Sequence, residues 1–223
     1  MADYTINGVD LRIPDALMTG QLDAAMAGGK YEHTEADALL RHLRRGDRFL
    51  DLGAGAGYLA SLAAGRTGAA VAGVEAGPDM APVAQANLAR NGAAGEIVWG
   101  AVVADDFGAG TVTFTVRRSF WASSLVPPPD ARHTREVEVP ALRIADLLAR
   151  FAPTVLSVDV EGGELALFDN GLPPAVRLVM MELHPSVYGA AGVKRIFDAL
   201  SATGLTYCPT GSRGATVVLE RAH

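Results

Sequence analysis

Short apolar runs alternate with helical patterns over most of the chain, and Gly, Asn and Pro residues punctuate them. At the start, residues 4–6 and 9–13 flank Asn7-Gly8, a strong hairpin signal. A helical stretch over 16–27 closes at Gly28-Gly29. The next predicted helix takes Thr34 as its cap, with Glu35 and Asp37 in the first turn, Arg41, Arg44 and Arg45 in the last, and Gly46 beyond. Those charges complement the helix dipole at both ends, and Leu39, Leu40 and Leu43 form the buried stripe. From Arg48 onward the pattern predicts strands over 48–52, 70–75, 96–101, 155–159 and 177–182. Helices are predicted between and after them over 58–64, 80–90, 145–150, 163–170 and 190–202. Residues 111–117 and 135–139 read as β-segments of an insertion, and 205–208 with 215–220 as a closing hairpin. Near-continuous apolar strands alternating with helices argue for an α/β fold, a mostly parallel sheet covered on both faces. The expected organisation is an N-terminal hairpin and helix appendage over 1–30 and one main domain over 31–223.

Composition narrows the class. The 223 residues are 49% hydrophobic and 20% charged, ordinary for one globular domain of this size. The net charge of −6 argues against a nucleic-acid partner, and Arg41, Arg44 and Arg45 read as the cationic end of one helix. A single cysteine, Cys208, excludes an internal disulfide and a cysteine-based zinc site; in a closing strand it reads as a small buried hydrophobe. The longest uncharged stretches, 52–65 and 199–212, are too short and too rich in small or polar residues to span a bilayer. With no basic leader or apolar signal core at the start, a cytoplasmic enzyme without a membrane partner is the expectation.

Glycine supplies the sharpest local signal. Asp51-Leu52-Gly53-Ala54-Gly55-Ala56-Gly57 lies between a predicted strand and a predicted helix. Glycines there allow a tight turn and close backbone approach to a ligand, while helix N–H groups face an anion. The spacing is G-x-G-x-G, because Tyr58 stands where the third glycine of the dinucleotide motif would fall. Glu75 ends the next strand, where doubly wound folds place an acid for ribose hydroxyls.

Four further stretches narrow the reading: Tyr31-Glu32, Asn87-Leu88-Ala89-Arg90-Asn91-Gly92, Ser157-Val158-Asp159-Val160-Glu161-Gly162-Gly163-Glu164, and Met181-Glu182-Leu183-His184-Pro185. With the glycine loop they resemble the FkbM family of S-adenosylmethionine (SAM)-dependent methyltransferases over most of the chain. Two positions depart from that family's usual pattern: Gly55 stands where an asparagine is common, and Ser157 where a lysine is common. The resemblance implies a Rossmann-like class I methyltransferase fold, a seven-stranded sheet with its last strand antiparallel. It also implies a cofactor site. The backbone from Gly53 through Ala54 and Gly55 to Tyr58 would meet the methionine end of SAM. Asp51 would hold the ammonium, Glu75 the ribose, Ala101 and Val102 the adenine; Ala76 would border the site, and Glu32 would touch the methionine end or serve only as a first-turn helix acid.

Methyl transfer to a hydroxyl is helped by a base at the carboxyl ends of the strands, where open α/β sheets bind ligands. Asp159, Glu161 and His184 meet that test, and Asp159 and Glu161 leave the strand on one side if it stays extended. Glu161 could instead orient the Gly162-Gly163 turn, and His184 before Pro185 could be a loop histidine. A divalent metal on Asp159, Glu161, Glu182 and His184 is chemically possible, but none is expected. The stretch 117–124, with Trp121, could wall the acceptor pocket or be a surface segment; His33, His42, His133 and His223 receive no role. The expected function is O-methylation of a small metabolite or saccharide. The rivals are a nucleic-acid methyltransferase, an NAD(P)-dependent oxidoreductase and a non-catalytic SAM-binding module.

Overall fold

The structure, a computed structural model, describes residues 1–117 and 134–222, so the predicted acceptor wall around Trp121 lies outside the described residues. The chain opens with strands β1 (Ala2–Ile6) and β2 (Val9–Ile13), paired antiparallel. Asn7 and Gly8 both take positive φ, 50° and 79°, which is the backbone a two-residue hairpin turn needs. A short 3-10 turn over Asp15–Leu17 follows, then α1 (Gly20–Ala27), capped by the Thr19 hydroxyl accepting from Leu22 N–H. The predicted helix over 16–27 is thus two pieces, because Met18 is extended and ends the first, and Thr19, also extended, caps the second.

The remaining elements are α2 (His33–His42), β3 (Phe49–Leu52), α3 (Tyr58–Thr67), β4 (Val71–Glu75), α4 (Ala81–Arg90), β5 (Gly95–Trp99), β6 (Ala101–Val103), β7 (Thr111–Arg117), β8 (Thr134–Arg143), α5 (Ile144–Phe151), β9 (Val155–Val158), β10 (Leu178–Glu182), α6 (Pro185–Ala202), β11 (Leu205–Arg213) and β12 (Thr216–Arg221). The main sheet has seven strands in the order β11-β12-β10-β9-β3-β4-β5. Its inner pairs are parallel, and β12 runs antiparallel to both β10 and β11. The expected topology, with the last strand antiparallel, is the observed one.

Alternation along the strands sends side chains to two cores. Phe49, Val71, Val155, Leu178 and Met180 pack with the N-terminal hairpin and helices α1 to α4. Leu50, Leu52, Val74, Leu156, Val179 and Met181 pack against α5 and α6. The hairpin residues Ile6, Val9, Leu11 and Ile13 belong to the first of these cores. At the far end of the sheet, Arg177 grips Asp47 through two hydrogen bonds and gives a third to the carbonyl of His42 at 2.9 Å.

Four local expectations are corrected. Helix α2 begins at His33, with Glu32 rather than Thr34 at the cap position, in a left-handed conformation of φ 45°. It ends at His42, before Arg44 and Arg45. The predicted strand over 96–101 breaks at Gly100, whose φ is 154°. A Cβ there would stand 2.8 Å from the Pro140 carbonyl, so glycine lets the chain leave the main sheet and β6 join β8 and β7 in a second sheet. Residues 163–170 form only a 3-10 turn over Gly163–Ala166, introduced by Gly162 at φ 98°. Helix α6 starts at Pro185, five residues before the predicted start, and kinks at Gly189. No helix among the described residues is long and apolar enough to cross a membrane.

Candidate functional site

A cleft opens at the carboxyl ends of β3, β4 and β9, lined by both polar and apolar residues. Gly53 forms its floor with φ 93°; a Cβ there would stand 1.8 Å from the backbone oxygen of Asp159. Gly53 and Ala54 both donate backbone N–H to the Val74 carbonyl at 2.9 Å, which folds the loop sharply over β4. Gly57 is equally constrained: a Cβ there would meet the Ala84 carbonyl of α4 at 2.7 Å. The glycines are therefore required by close backbone approach on two sides.

Glu75 sits at the centre of this arrangement. Its Oε2 accepts from Gly55 N–H at 2.8 Å and its Oε1 from Gly77 N–H at 2.6 Å. Burial pushes the carboxyl up to about 7, against the pull of those two N–H donors. Each oxygen keeps a second lone pair, the arrangement that two neighbouring hydroxyl donors can use. Asn87, almost wholly buried in α4, donates to the Ala56 carbonyl at 3.0 Å and accepts from Arg12 N–H at 2.8 Å. It thereby ties the glycine loop to the N-terminal hairpin. Asn91, one turn later, both donates to and accepts from the backbone of Asp10.

The second half of the site comes from the ends of β9 and β10. The strand stops at Val158 and Glu161 turns left-handed at φ 52°, so strand alternation does not govern Asp159 and Glu161. Both nevertheless reach His184, whose Nε2 is 3.7 Å from Asp159 Oδ1 and 3.4 Å from Glu161 Oε2. On the other side of the ring, Nδ1 is 3.2 Å from Oε1 of the wholly buried Glu164. Burial would depress the His184 imidazolium, but the carboxylates of Glu161, Glu164 and Asp159 outweigh it and push it up to about 10. Asp159 is driven well above the ordinary carboxylate range by burial and then by the charges of Glu161 and Glu182. Burial likewise raises Asp51, to about 8, with Ser157 opposite it in register lowering it in part. Glu32 rises by burial and the nearby charges of Asp51 and Asp159, against the Tyr31 hydroxyl.

Of the residues singled out in the sequence, Glu32, Gly53, Gly55, Glu75, Ala76, Ala101, Val102, Asp159 and Glu161 line the cleft. Asp51 lines an adjoining smaller cleft that shares Glu32, Gly53 and Asp159 with the first. His184 lines neither and stands behind Asp159 and Glu161. Ala54 and Tyr58 are buried behind the loop, where the Tyr58 hydroxyl accepts from Asn7 Nδ2 at 2.8 Å. The structure adds Tyr31, Val74, Gly100, Phe114 and Val160 to the lining. Phe114 comes from the second sheet, which the Gly100 break carries over the cleft. Tyr31 was visible beside Glu32, and Glu164 within its motif, without a contact to assign to either.

A parallel sheet with an antiparallel last strand, a glycine loop after its first strand and an acid at the end of its second define the class I methyltransferase fold. Residues 51–204 match the methyltransferase FkbM domain family, and the chain belongs to it. It is a SAM-dependent methyltransferase domain, and its cofactor is S-adenosylmethionine. The ribosomal protein L11 methyltransferase of Thermus thermophilus is 47% identical over 70 residues, 30% of this chain. That match spans 27% of the relative's own length. Among solved structures, fibrillarin of Aeropyrum pernix with natively bound S-adenosyl-L-methionine is similar in fold, with a TM-score of 0.50. Its identity is 15%, over 98% of this chain and 81% of that one. Ribosomal protein L11 methylase of Lactobacillus delbrueckii subsp. bulgaricus has a TM-score of 0.48 at 15% identity, over 88% of this chain and 81% of that one. The cleft fits the cofactor: a floor that only glycine allows, a carboxylate with two free lone pairs, and an apolar end at Ala101, Val102 and Phe114.

Proposed function

We propose that the protein methylates a hydroxyl oxygen of a small metabolite or saccharide. The observation that carries this reading is Asp159 Oδ1, a buried carboxylate oxygen without a hydrogen-bond partner, on a residue that lines both clefts. An acceptor hydroxyl in the smaller cleft can donate to it, be held there, and give up its proton as the bond to the methyl carbon forms. Positioning of this kind supplies ~7–11 kcal/mol of a bimolecular barrier, and a base adds roughly 10²–10⁴-fold.

Bound SAM supplies an electrophilic methyl group on a sulfonium. The chain's residues do the rest. Gly53 and Gly55 admit the cofactor's backbone-hugging end, Glu75 takes the ribose hydroxyls, and Ala101, Val102 and Phe114 border the adenine. Asp51 and Glu32 attract the ammonium. Asp159 orients the acceptor, with Glu161 on the acceptor side and His184 behind both. His184 lines neither cleft, so Asp159 is the better placed of the two to meet the acceptor. The acid-lined clefts, with Glu32, Asp51, Asp159, Glu161 and Glu182 and no lysine or arginine among the described residues that line them, suit hydroxyl donors and oppose a phosphate backbone. A cytoplasmic setting with no membrane or nucleic-acid partner belongs to the same reading.

The test uses methyl-labelled SAM with a panel of sugars, hydroxylated metabolites, amines, ribosomal protein L11 and RNA, read by mass spectrometry. Label on a hydroxyl oxygen is expected, and Asp159→Asn is expected to lower turnover by about 10²-fold with little change in cofactor affinity. Label confined to nitrogen, protein or RNA would overturn the reading.

A further inference from the structure

The ends of β9 and β10 bring together three buried polar atoms that find no hydrogen-bond partner among the described residues. Asp159 Oδ1, Glu164 Oε2 and His184 Nδ1 are buried without a hydrogen-bond partner. The only other such side-chain atom among the described residues is Asp51 Oδ2. Unsatisfied buried polar atoms are costly, by roughly 1–3 kcal/mol each and more for charged groups, so three on one spot ask for a physical reason.

Glu164 is the most informative of the three. It is 0% exposed, and its Oε1 accepts from Val160 N–H at 3.1 Å and Gly162 N–H at 3.2 Å. Those two bonds fix the carboxylate and leave Oε2 aimed without a partner. Facing it, His184 Nδ1 is 3.2 Å from Oε1 without making a hydrogen bond. The far nitrogen of the ring faces Glu161 Oε2 at 3.4 Å, and the His184 backbone N–H is held by the Tyr188 hydroxyl at 2.6 Å. A charge-assisted pair closes to about 2.7–2.9 Å. Here three carboxylates surround one imidazole and none closes on it.

These separations suit ligands sharing one ion. One donor atom each from Asp159, Glu164 and His184 lies within 4.8 Å of the others. A divalent cation bonded at about 2.1–2.4 Å holds its ligands within that spread. We propose that Asp159, Glu164 and His184 form a divalent-cation site beside the cofactor cleft, with Glu161 as a neighbouring carboxylate 3.4 Å from the ring. Two carboxylates and one imidazole are an oxygen-rich, borderline donor set, for which Mn²⁺ is the fitting probe. The proposal deepens the hydroxyl reading, because an ion on Asp159 would also hold and acidify the acceptor oxygen.

The experiment titrates the chelator-treated full chain with MnCl₂ and reads free Mn²⁺ by electron paramagnetic resonance, with no acceptor needed. Saturable uptake of one ion per chain is expected. His184→Asn and Asp159→Asn should each weaken it by at least tenfold, while Asp37→Asn, an exposed acid, should not. Glu164→Gln should do the same if it folds; His184→Asn keeps the test open if it does not. Absence of saturable uptake, or uptake unchanged in both His184→Asn and Asp159→Asn, would overturn the site. Lack of Mn²⁺ uptake with label still arriving on a hydroxyl would sink the cation site alone. Uptake with label only on nitrogen would sink the hydroxyl reading alone.

Discussion

Gly53 lies directly against Asp159: a Cβ on the glycine would stand 1.8 Å from the aspartate's backbone oxygen. The loop proposed to receive the cofactor and the strand end that carries the proposed acceptor group are therefore one packed unit. Gly53→Ala must move backbone, and its φ of 93° strains any side chain besides. The variant is expected to lose on the order of 3–5 kcal/mol of stability and to lose cofactor binding. Gly65→Ala is the control, because nothing lies within 4 Å of that Cβ and it sits inside α3. It should be neutral or stabilising by up to roughly 1 kcal/mol. Thermal unfolding of both variants distinguishes these outcomes.

Asn87 makes a second prediction. It bridges the Ala56 carbonyl and the Arg12 N–H, whereas Asn91 reaches the hairpin at Asp10 and does not touch the loop. Asn87→Leu should cost about 2–4 kcal/mol and weaken S-adenosylhomocysteine binding several-fold. Asn91→Ala should lower stability while leaving that affinity close to normal. Equal affinity losses in both would mean that the hairpin acts on the cofactor loop as a whole, with no special part for Asn87.

Glu75 predicts a pH dependence. Its carboxyl is held up at about 7 by burial, and hydroxyl donors favour the charged form. Cofactor binding should therefore release a proton below that value. Affinity should rise from roughly pH 5.5 and level off above pH 7, and Glu75→Gln should flatten the curve. Calorimetry in two buffers of different ionisation enthalpy measures the released proton.

The Asp47–Arg177 pair concerns stability alone. Burial would raise Asp47, but the Arg177 guanidinium, Arg44 N–H and Thr154 hydroxyl hold it below the usual carboxylate range. A depressed folded value means stability that is complete above that range and drains away as pH falls through the lowered value. Asp47→Asn should cost about 2–4 kcal/mol at neutral pH, discounted because Arg177 is 21% exposed. The difference from the parent should shrink in acid; a constant difference down to strongly acidic pH would contradict the assignment.

Much of this was legible in the chain because its physics is local. The Gly53 to Gly57 loop, Glu75 and the Asn7-Gly8 turn each follow from what a tight turn or a strand end demands of nearby residues. The parallel sheet followed from the alternation of apolar runs and helices. What was hidden depends on distant pairing. Phe114 reaches the cleft only because Gly100 breaks a strand that reads as continuous. The meeting of His184 with Asp159 needs the β9–β10 register, in which Met181 pairs with Val158. Glu164 needs the left-handed turn at Glu161 and Gly162, which no periodicity encodes.

The most direct test is calorimetric binding of S-adenosylhomocysteine to the parent chain and to a folded Glu75→Ala variant, with NADH as the comparison ligand. Two charge-assisted bonds from ribose are worth about 1.5–3 kcal/mol each, so the variant should bind at least tenfold more weakly. The parent should bind S-adenosylhomocysteine in the micromolar range and NADH not at all. Unchanged affinity in folded Glu75→Ala, or preference of the parent for NADH, would contradict the account.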